Sequence, residues 1–141
     1  MKNTKMFLIT AVILVLLFIV AYTTVNGPKP IEIKTYDMDV SVASGKVVGV
    51  NVDADAIHFG KVPVDQTAES MRGINVMNGE IKTNVQLRTT GILGKWVSVS
   101  QNNFTLEPKQ THTINVTATI PGETPLGNYT GTLIIEFFKA E

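Results

Sequence analysis

Hydrophobic and polar positions divide the chain into two parts with different periods. Residues 6–25 read MFLITAVILVLLFIVAYTTV and carry no charge. At a rise of about 1.5 Å per residue, such a stretch forms a helix about 30 Å long, which matches the hydrocarbon thickness of a bilayer. From Ile31 onward, apolar and polar side chains alternate over short segments, as they do in β-strands. The pattern predicts one membrane helix followed by an all-β domain.

The alternation is clearest in Thr111–Ile120, where apolar residues face one side and mostly threonines face the other. Similar segments predict strands at Ile31–Val42, Lys46–Val52, Ala56–Phe59, Ser70–Met77, Asn84–Thr90, Lys95–Ser100, Phe104–Leu106 and Tyr129–Phe137. Turn residues separate these segments, and Asn78-Gly79 has the composition of a two-residue hairpin loop. About seven to nine short strands with no helical period favour an immunoglobulin-like β-sandwich.

The charges around the apolar segment predict how it is inserted. Lys2 and Lys5 precede it without any acidic residue, which favours a cytoplasmic N-terminus. We therefore expect a cytoplasmic stub (1–5), a transmembrane signal anchor (6–25), a stalk (26–30) and an extracytoplasmic immunoglobulin-like domain (31–141). The protein would then be a single-pass protein of the cell membrane, with its C-terminal domain outside.

A cleaved signal peptide is the alternative interpretation of the same segment. Such peptides have an apolar core of about 7–15 residues followed by a cleavage site between small residues. The apolar run here is longer, and Ala21-Tyr22-Thr23 is a poor cleavage site because threonine is large for its last position. The pattern favours a retained anchor.

Composition narrows the function classes. Lys2 and Lys5 are two of the twelve basic residues, so ten basic residues face twelve acidic ones beyond the membrane segment. This balance argues against nucleic acid as a partner, because nucleic-acid surfaces need clustered lysine and arginine. The chain has no cysteine, so disulfides, thiol nucleophiles and cysteine-bound metals are excluded.

Several segments of the β domain resemble a known group. The group's opening motif is similar to IHFGKV (57–62), and its ending is similar to FTLEP (104–108), TINVTATIP (113–121) and GNYTG (127–131). Over residues 46–138 the chain resembles membrane-anchored immunoglobulin-like proteins of archaeal cell surfaces, including NEW3-type domains. Its layout of one helix and one sandwich also resembles archaellum stator subunits. The resemblance implies adhesion, scaffolding or protein–protein contact, and it brings no catalytic residues.

Three Asn-x-Thr sequons are candidate glycosylation sites on an exported domain. They begin at Asn103, Asn115 and Asn128, and none has proline in the middle position. Asn115 is expected on the solvent face of its strand, whereas Asn103 and Asn128 are expected at turns. Threonine-rich strands also produce such triplets by chance, so the motif alone does not decide whether a glycan is attached.

No motif predicts catalysis, a cofactor or a metal. Residues 51–55 (NVDAD) resemble the start of a calcium loop, but alanine and valine stand where an EF-hand needs glycine and glutamate. A looser cation site there, or a simple polar turn, both fit. His58 and His112 are the only histidines, and no motif places acidic partners beside them. His112 is expected to be a partly buried edge residue. We therefore expect a protein that is not an enzyme.

The best candidate for partner contact is the segment GILGKW (91–96). Exposed apolar and aromatic side chains in loops are frequent binding anchors, so Ile92, Leu93 and Trp96 are candidates if they lie at a hairpin tip. A single tryptophan in a small sandwich also commonly fills the core, and both interpretations of Trp96 stay open.

These features together predict a non-catalytic, membrane-anchored module that binds a protein or a surface-layer component at the cell surface. The alternative is an accessory subunit of a membrane-embedded filament or secretion machine, similar to an archaellum stator. In that case the membrane helix would pack against other helices, although it lacks a small-xxx-small motif.

Overall fold

Two β-sheets form the part of the chain from residue 31 onward. The computed structural model describes residue 9 and residues 11–19, 27–44, 56–63 and 67–141. Its strands are β1 (Glu32–Ala43), β2 (Ala56–Pro63), β3 (Ala68–Met77), β4 (Thr83–Thr90), β5 (Val97–Val99), β6 (Phe104–Leu106), β7 (Thr111–Ile120) and β8 (Gly127–Lys139). This arrangement confirms the prediction of an all-β, sandwich-like fold. The strand predicted at 46–52 lies outside the described residues.

The strands divide unequally between the sheets. One sheet has the order β2-β1-β8-β4-β6, and the other has the order β3-β7-β5. The longest pairing joins β1 and β8 antiparallel, from Glu32 opposite Phe137 to Val42 opposite Gly127. β1 and β2 are parallel, with a register shift between Asp39 and Ser41. β1 and β8 therefore determine the long axis of the domain.

The core lies between the sheets and follows the period-two pattern of the sequence. Met38, Ile114, Val116, Ala118 and Leu133 are almost completely buried, and the alternate residues of β7 face outward or are half-buried. Burying a large aliphatic side chain contributes about 1.5–3 kcal/mol. Because the chain has no cysteine, this burial and the pairing of the strands stabilise the domain without disulfides.

Two side chains of β3 connect the sheets at the edge formed by β2. The Ser70 hydroxyl donates a hydrogen bond of 2.7 Å to the Phe59 carbonyl. The Arg72 Nε donates one of 2.8 Å to the His58 carbonyl. These bonds satisfy carbonyl oxygens of an edge strand, which would otherwise be open to pairing with another chain.

One local prediction is wrong, and a second is confirmed only in part. Asn78-Gly79 does not close a hairpin, because β3 and β4 lie in different sheets and residues 78–82 cross between them. The strand predicted at Lys95–Ser100 is reduced to Val97–Val99 and follows a single helical turn, Gly91–Gly94. In both places the chain leaves one sheet for the other, and local composition does not report that change.

Residue 9 and residues 11–19 are helical. Within the described part of the chain, no helix is both long enough and apolar enough to cross a membrane. The membrane segment predicted at 6–25 extends beyond these residues on both sides.

Candidate functional site

The segment predicted to contact a partner begins where β4 turns away from β8. Gly91 adopts φ +83°, a left-handed conformation that glycine accepts readily, and it forms an isolated bridge with Gly131. A Cβ atom on Gly91 would lie 2.9 Å from the Gly131 Cα atom, so the close approach requires glycine at both positions. The helical turn follows directly, with Trp96 N–H donating to the Leu93 carbonyl at 2.9 Å.

This turn sends two neighbouring apolar side chains in opposite directions. Ile92 is 58% exposed, whereas Leu93 is 0% exposed and belongs to the core. Leu93 therefore does not meet the condition for a contact residue, which is exposure at a hairpin tip, because the segment is a helical turn whose inner side faces β8. Leu93 acts as the anchor that holds Ile92 on the surface.

Trp96 fills part of the core and also keeps an accessible surface. It is half-buried and packs against the hydrophobic core. Its ring meets that of Tyr129 edge to face, with 5.1 Å between centroids. The Tyr129 hydroxyl donates to the Pro125 carbonyl at 2.9 Å. The aromatic pair is thus fixed from both sides while one part of the indole remains accessible.

Leu126 is a surface residue that sequence reasoning missed. It is 59% exposed and directly precedes β8, in the turn that Tyr129 holds through Pro125. An apolar residue inside a turn rich in proline and glycine has no period-two position, and only that irregularity could have indicated it. We define the distal tip as Ile92, Trp96, Leu126 and Tyr129.

Leu126 lies at the opposite end of the domain from Ile31, whereas Gly91, next to Ile92, bridges Gly131 opposite Met38 near the middle of β1. Gly127 pairs with Val42 near the end of β1, whereas Ile31 precedes the start of that strand. The 12 residues of β1 span about 40 Å at ~3.3 Å per residue. The tip therefore runs from the middle of the sandwich to the end that is farthest from Ile31.

All three sequon asparagines are exposed. Asn103 lies in the turn before β6 with φ +53°. Asn115 lies on the outer face of the three-stranded sheet opposite Gly73, which has no side chain to cover it. Asn128 lies on the outer face of the other sheet, where its side-chain oxygen accepts a hydrogen bond from the Ser41 hydroxyl. Each amide is placed where a glycan can project into solvent.

The histidines lie in different sheets. His58 on β2 pairs through Nδ1 with the carboxylate of Asp39 on β1. His112 is half-buried, as predicted, although its strand is the central one of its sheet rather than an edge, and its Nε2 contacts Gln101 Oε1 at 2.8 Å. The acidic run at 51–55 lies outside the described residues.

A groove of about 440 Å³ lies on the outer face of the five-stranded sheet. Asp37, Asp39, Thr130 and Thr132 line it together with the bridged pair of glycines. Among the residues that the structure describes, no group of three or more histidine or acidic side chains could hold a metal ion. The groove supplies hydrogen-bond acceptors but no assembled metal-ligand set.

No protein-family model matches the chain, and no curated protein is significantly similar to it.

Proposed function

We propose that this protein is a non-catalytic module of the cell surface that is anchored in the membrane and binds a protein or a surface-layer component through its distal tip. The observation that carries the proposal is the exposure of Ile92 and Leu126 in the two chain segments that the Trp96–Tyr129 contact joins. Aromatic and aliphatic anchors held rigidly on a scaffold lose little entropy when they bind, and they dominate the energy of many interfaces.

The N-terminal segment supports the membrane part of the proposal. Each residue from 11 to 19 is apolar and exposed, so no side of this helical stretch is covered by the sandwich. A bilayer would remove these side chains from water, and the uncharged run from 6 to 25 has the length that this requires. With the anchor at one end, β1 directs the distal tip away from the membrane.

The two-sheet architecture supports a role in binding rather than a specific chemistry. The resemblance to membrane-anchored immunoglobulin-like proteins of archaeal cell surfaces implies adhesion or scaffolding. A sandwich with long central strands holds loops such as 91–96 and 121–126 rigidly, and binding sites are commonly placed on loops of this kind. We infer that the sandwich is of the immunoglobulin-like type.

Site-specific cross-linking in the native cells tests the proposal. A photoreactive benzoylphenylalanine at position 92 is expected to give a covalent adduct of one discrete mass, and the same adduct is expected from position 126. Both adducts should disappear when the other tip residue is changed to aspartate (Leu126→Asp or Ile92→Asp), because burying an unpaired charge in an apolar contact costs several kcal/mol. Immunoblotting of the cross-linked membranes measures the outcome.

The matched control is Met77, which is exposed on the outer face of the three-stranded sheet. A cross-linker there should give no adduct of that mass. Equal adducts from positions 77, 92 and 126 would contradict a specific role of the tip. A discrete adduct from Leu14 alone would instead favour the alternative function, an accessory subunit of a filament or secretion machine.

We also propose that the exported domain is a glycoprotein. In protein purified from the native cells, we expect the intact mass to exceed that of the polypeptide. Asn103→Gln, Asn115→Gln and Asn128→Gln should each remove one glycan mass, because all three amides are exposed. As a control, Asn75→Gln changes an exposed asparagine outside any sequon and should not alter the glycan mass. An intact mass equal to that of the polypeptide would contradict the proposal.

A further inference from the structure

The outer face of the five-stranded sheet changes from apolar to acidic along β1. Ile31, just before this strand, is 52% exposed, and Ile33 points outward from the start of the strand and is 53% exposed. Asp37 and Asp39 point outward from the same strand farther along. At ~3.3 Å per residue, Ile31 and Asp37 lie about 20 Å apart. One end of this face is therefore suited to a nonpolar environment and the other end to water.

The neighbouring strand extends the apolar end. Ile33 lies opposite Glu136 of β8, and Ile134 and Phe138 flank Glu136 on the same outward face. Glu136 pairs with Arg88 at 3.2 Å, so its charge within this surface is compensated. We define the proximal patch by four of these side chains, which are Ile31, Ile33, Ile134 and Phe138.

Chain length places the proximal patch beside the membrane anchor. Five residues, 26–30, separate the end of the apolar segment at 25 from Ile31. Fully extended, the six steps from residue 25 to residue 31 reach about 20 Å. The patch begins where that connection ends, so it cannot move far from the lipid surface once residues 6–25 are inserted.

We propose that the proximal patch docks on the lipid surface of the same bilayer that holds the anchor, with Ile31 and Ile33 in the interfacial layer. This inference rests on the membrane anchoring in the proposed function. Exposed aliphatic and aromatic side chains that lie together on one surface partition into the interface between lipid head groups and acyl chains. The proximal end of the five-stranded sheet then contacts the lipid, and the distal tip stays in water.

The size of the patch favours lipid over a second copy of the chain. A stable protein–protein interface buries about 800 Å² on each partner and involves about 20–30 residues a side. The proximal patch has four apolar side chains, and two of them are already half-buried by their neighbours. The charge of Lys34 is compensated by Glu32 at 3.4 Å. Docking therefore does not depend on attraction between this lysine and acidic lipids, and a neutral lipid surface is sufficient.

Spin labelling tests the proposal on the full chain in phosphatidylcholine vesicles. Because the chain has no cysteine, Ile33→Cys and Met71→Cys each give one labelled position without further changes. Met71 is the matched control, since it is 58% exposed on the outer face of the other sheet. We expect the ratio of oxygen to nickel-complex accessibility to be at least about threefold higher at position 33 than at position 71. Asp37→Cys on the same face should give a ratio close to that of Met71→Cys.

The outcomes separate this inference from the function on which it rests. Equal ratios at positions 33 and 71 in chains that float with the vesicles would overturn lipid docking and leave the anchor and the distal tip untouched. Spectral broadening at position 33 that disappears on dilution with unlabelled chain would assign the patch to a second copy and also overturn it. Chains that do not float with the vesicles would refute the anchor, and the docking proposal with it.

Discussion

Gly131→Ala is expected to destabilise the domain by about 3 kcal/mol or more. The added Cβ atom would lie 2.6 Å from the Thr90 carbonyl oxygen and 2.9 Å from the Gly94 nitrogen. Both are backbone atoms, so no side-chain rotation relieves the overlap, and the helical turn must move away from β8. That movement would also withdraw Leu93 from the core. With a urea slope of about 1.5 kcal/mol/M, the midpoint of unfolding should fall by about 2 M.

Trp96 fluorescence measures this unfolding, because the single tryptophan packs on Tyr129 beside the turn. Circular dichroism provides a second probe that is not local to the substitution. Gly79→Ala is the control, since no atom lies within 4 Å of its added Cβ, and we expect a change within about 0.5 kcal/mol. Equal midpoints for both variants would show that the contact between the turn and β8 relaxes without cost.

The strands could be predicted from the sequence because each one buries a single face. In β7 the buried Ile114, Val116 and Ala118 alternate with exposed or half-buried polar residues, so the two-residue alternation is visible in the sequence itself. The sheet to which each strand belongs could not be predicted in this way. Asn78-Gly79 has hairpin composition, yet β3 and β4 pair with different partners, and those partners come from distant parts of the chain.

The distal tip was only partly predictable for a related reason. Ile92 and Trp96 stand out as apolar residues beside glycines, and the structure places both at the surface or near it. The burial of Leu93 depends on contact with Gly131, nearly forty residues later in the chain. The position of Leu126 depends on the hydrogen bond from Tyr129 to Pro125. The first dependence has no signature in the local sequence, and the second shows there only as an apolar residue inside a turn rich in proline and glycine.

The side chain of Asn78 has a structural role that its turn-like sequence concealed. It is only 6% exposed. Its amide nitrogen donates to the carbonyls of Ile81, Leu106 and Glu107 at 2.7, 3.0 and 2.9 Å. Its oxygen accepts from the Thr83 hydroxyl at 2.9 Å. One amide thus joins the crossing loop to the start of β4 and the end of β6.

Asn78→Asp should therefore destabilise the domain by about 3 kcal/mol at pH 8, since a carboxylate cannot donate to three carbonyls and each unsatisfied buried group costs about 1–3 kcal/mol. Burial among carbonyl oxygens would raise the pKa of the introduced carboxyl above its value in the unfolded chain. A raised folded-state pKa means that stability is retained at low pH and lost as the pH rises through it. Each unit of that rise corresponds to about 1.4 kcal/mol, so the loss at pH 4.5 should be smaller by at least about 1 kcal/mol.

Urea unfolding at the two pH values measures the effect after the wild-type dependence on pH is subtracted. Asn84→Asp is the matched control, because Asn84 is exposed and its oxygen only accepts a hydrogen bond of 2.7 Å from the Thr105 hydroxyl. A carboxylate accepts that bond equally well, so we expect a change below about 0.5 kcal/mol at both pH values. If Asn78→Asp were equally mild, the buried amide would not hold the crossing loop, and the two sheets would be joined there by backbone pairing alone.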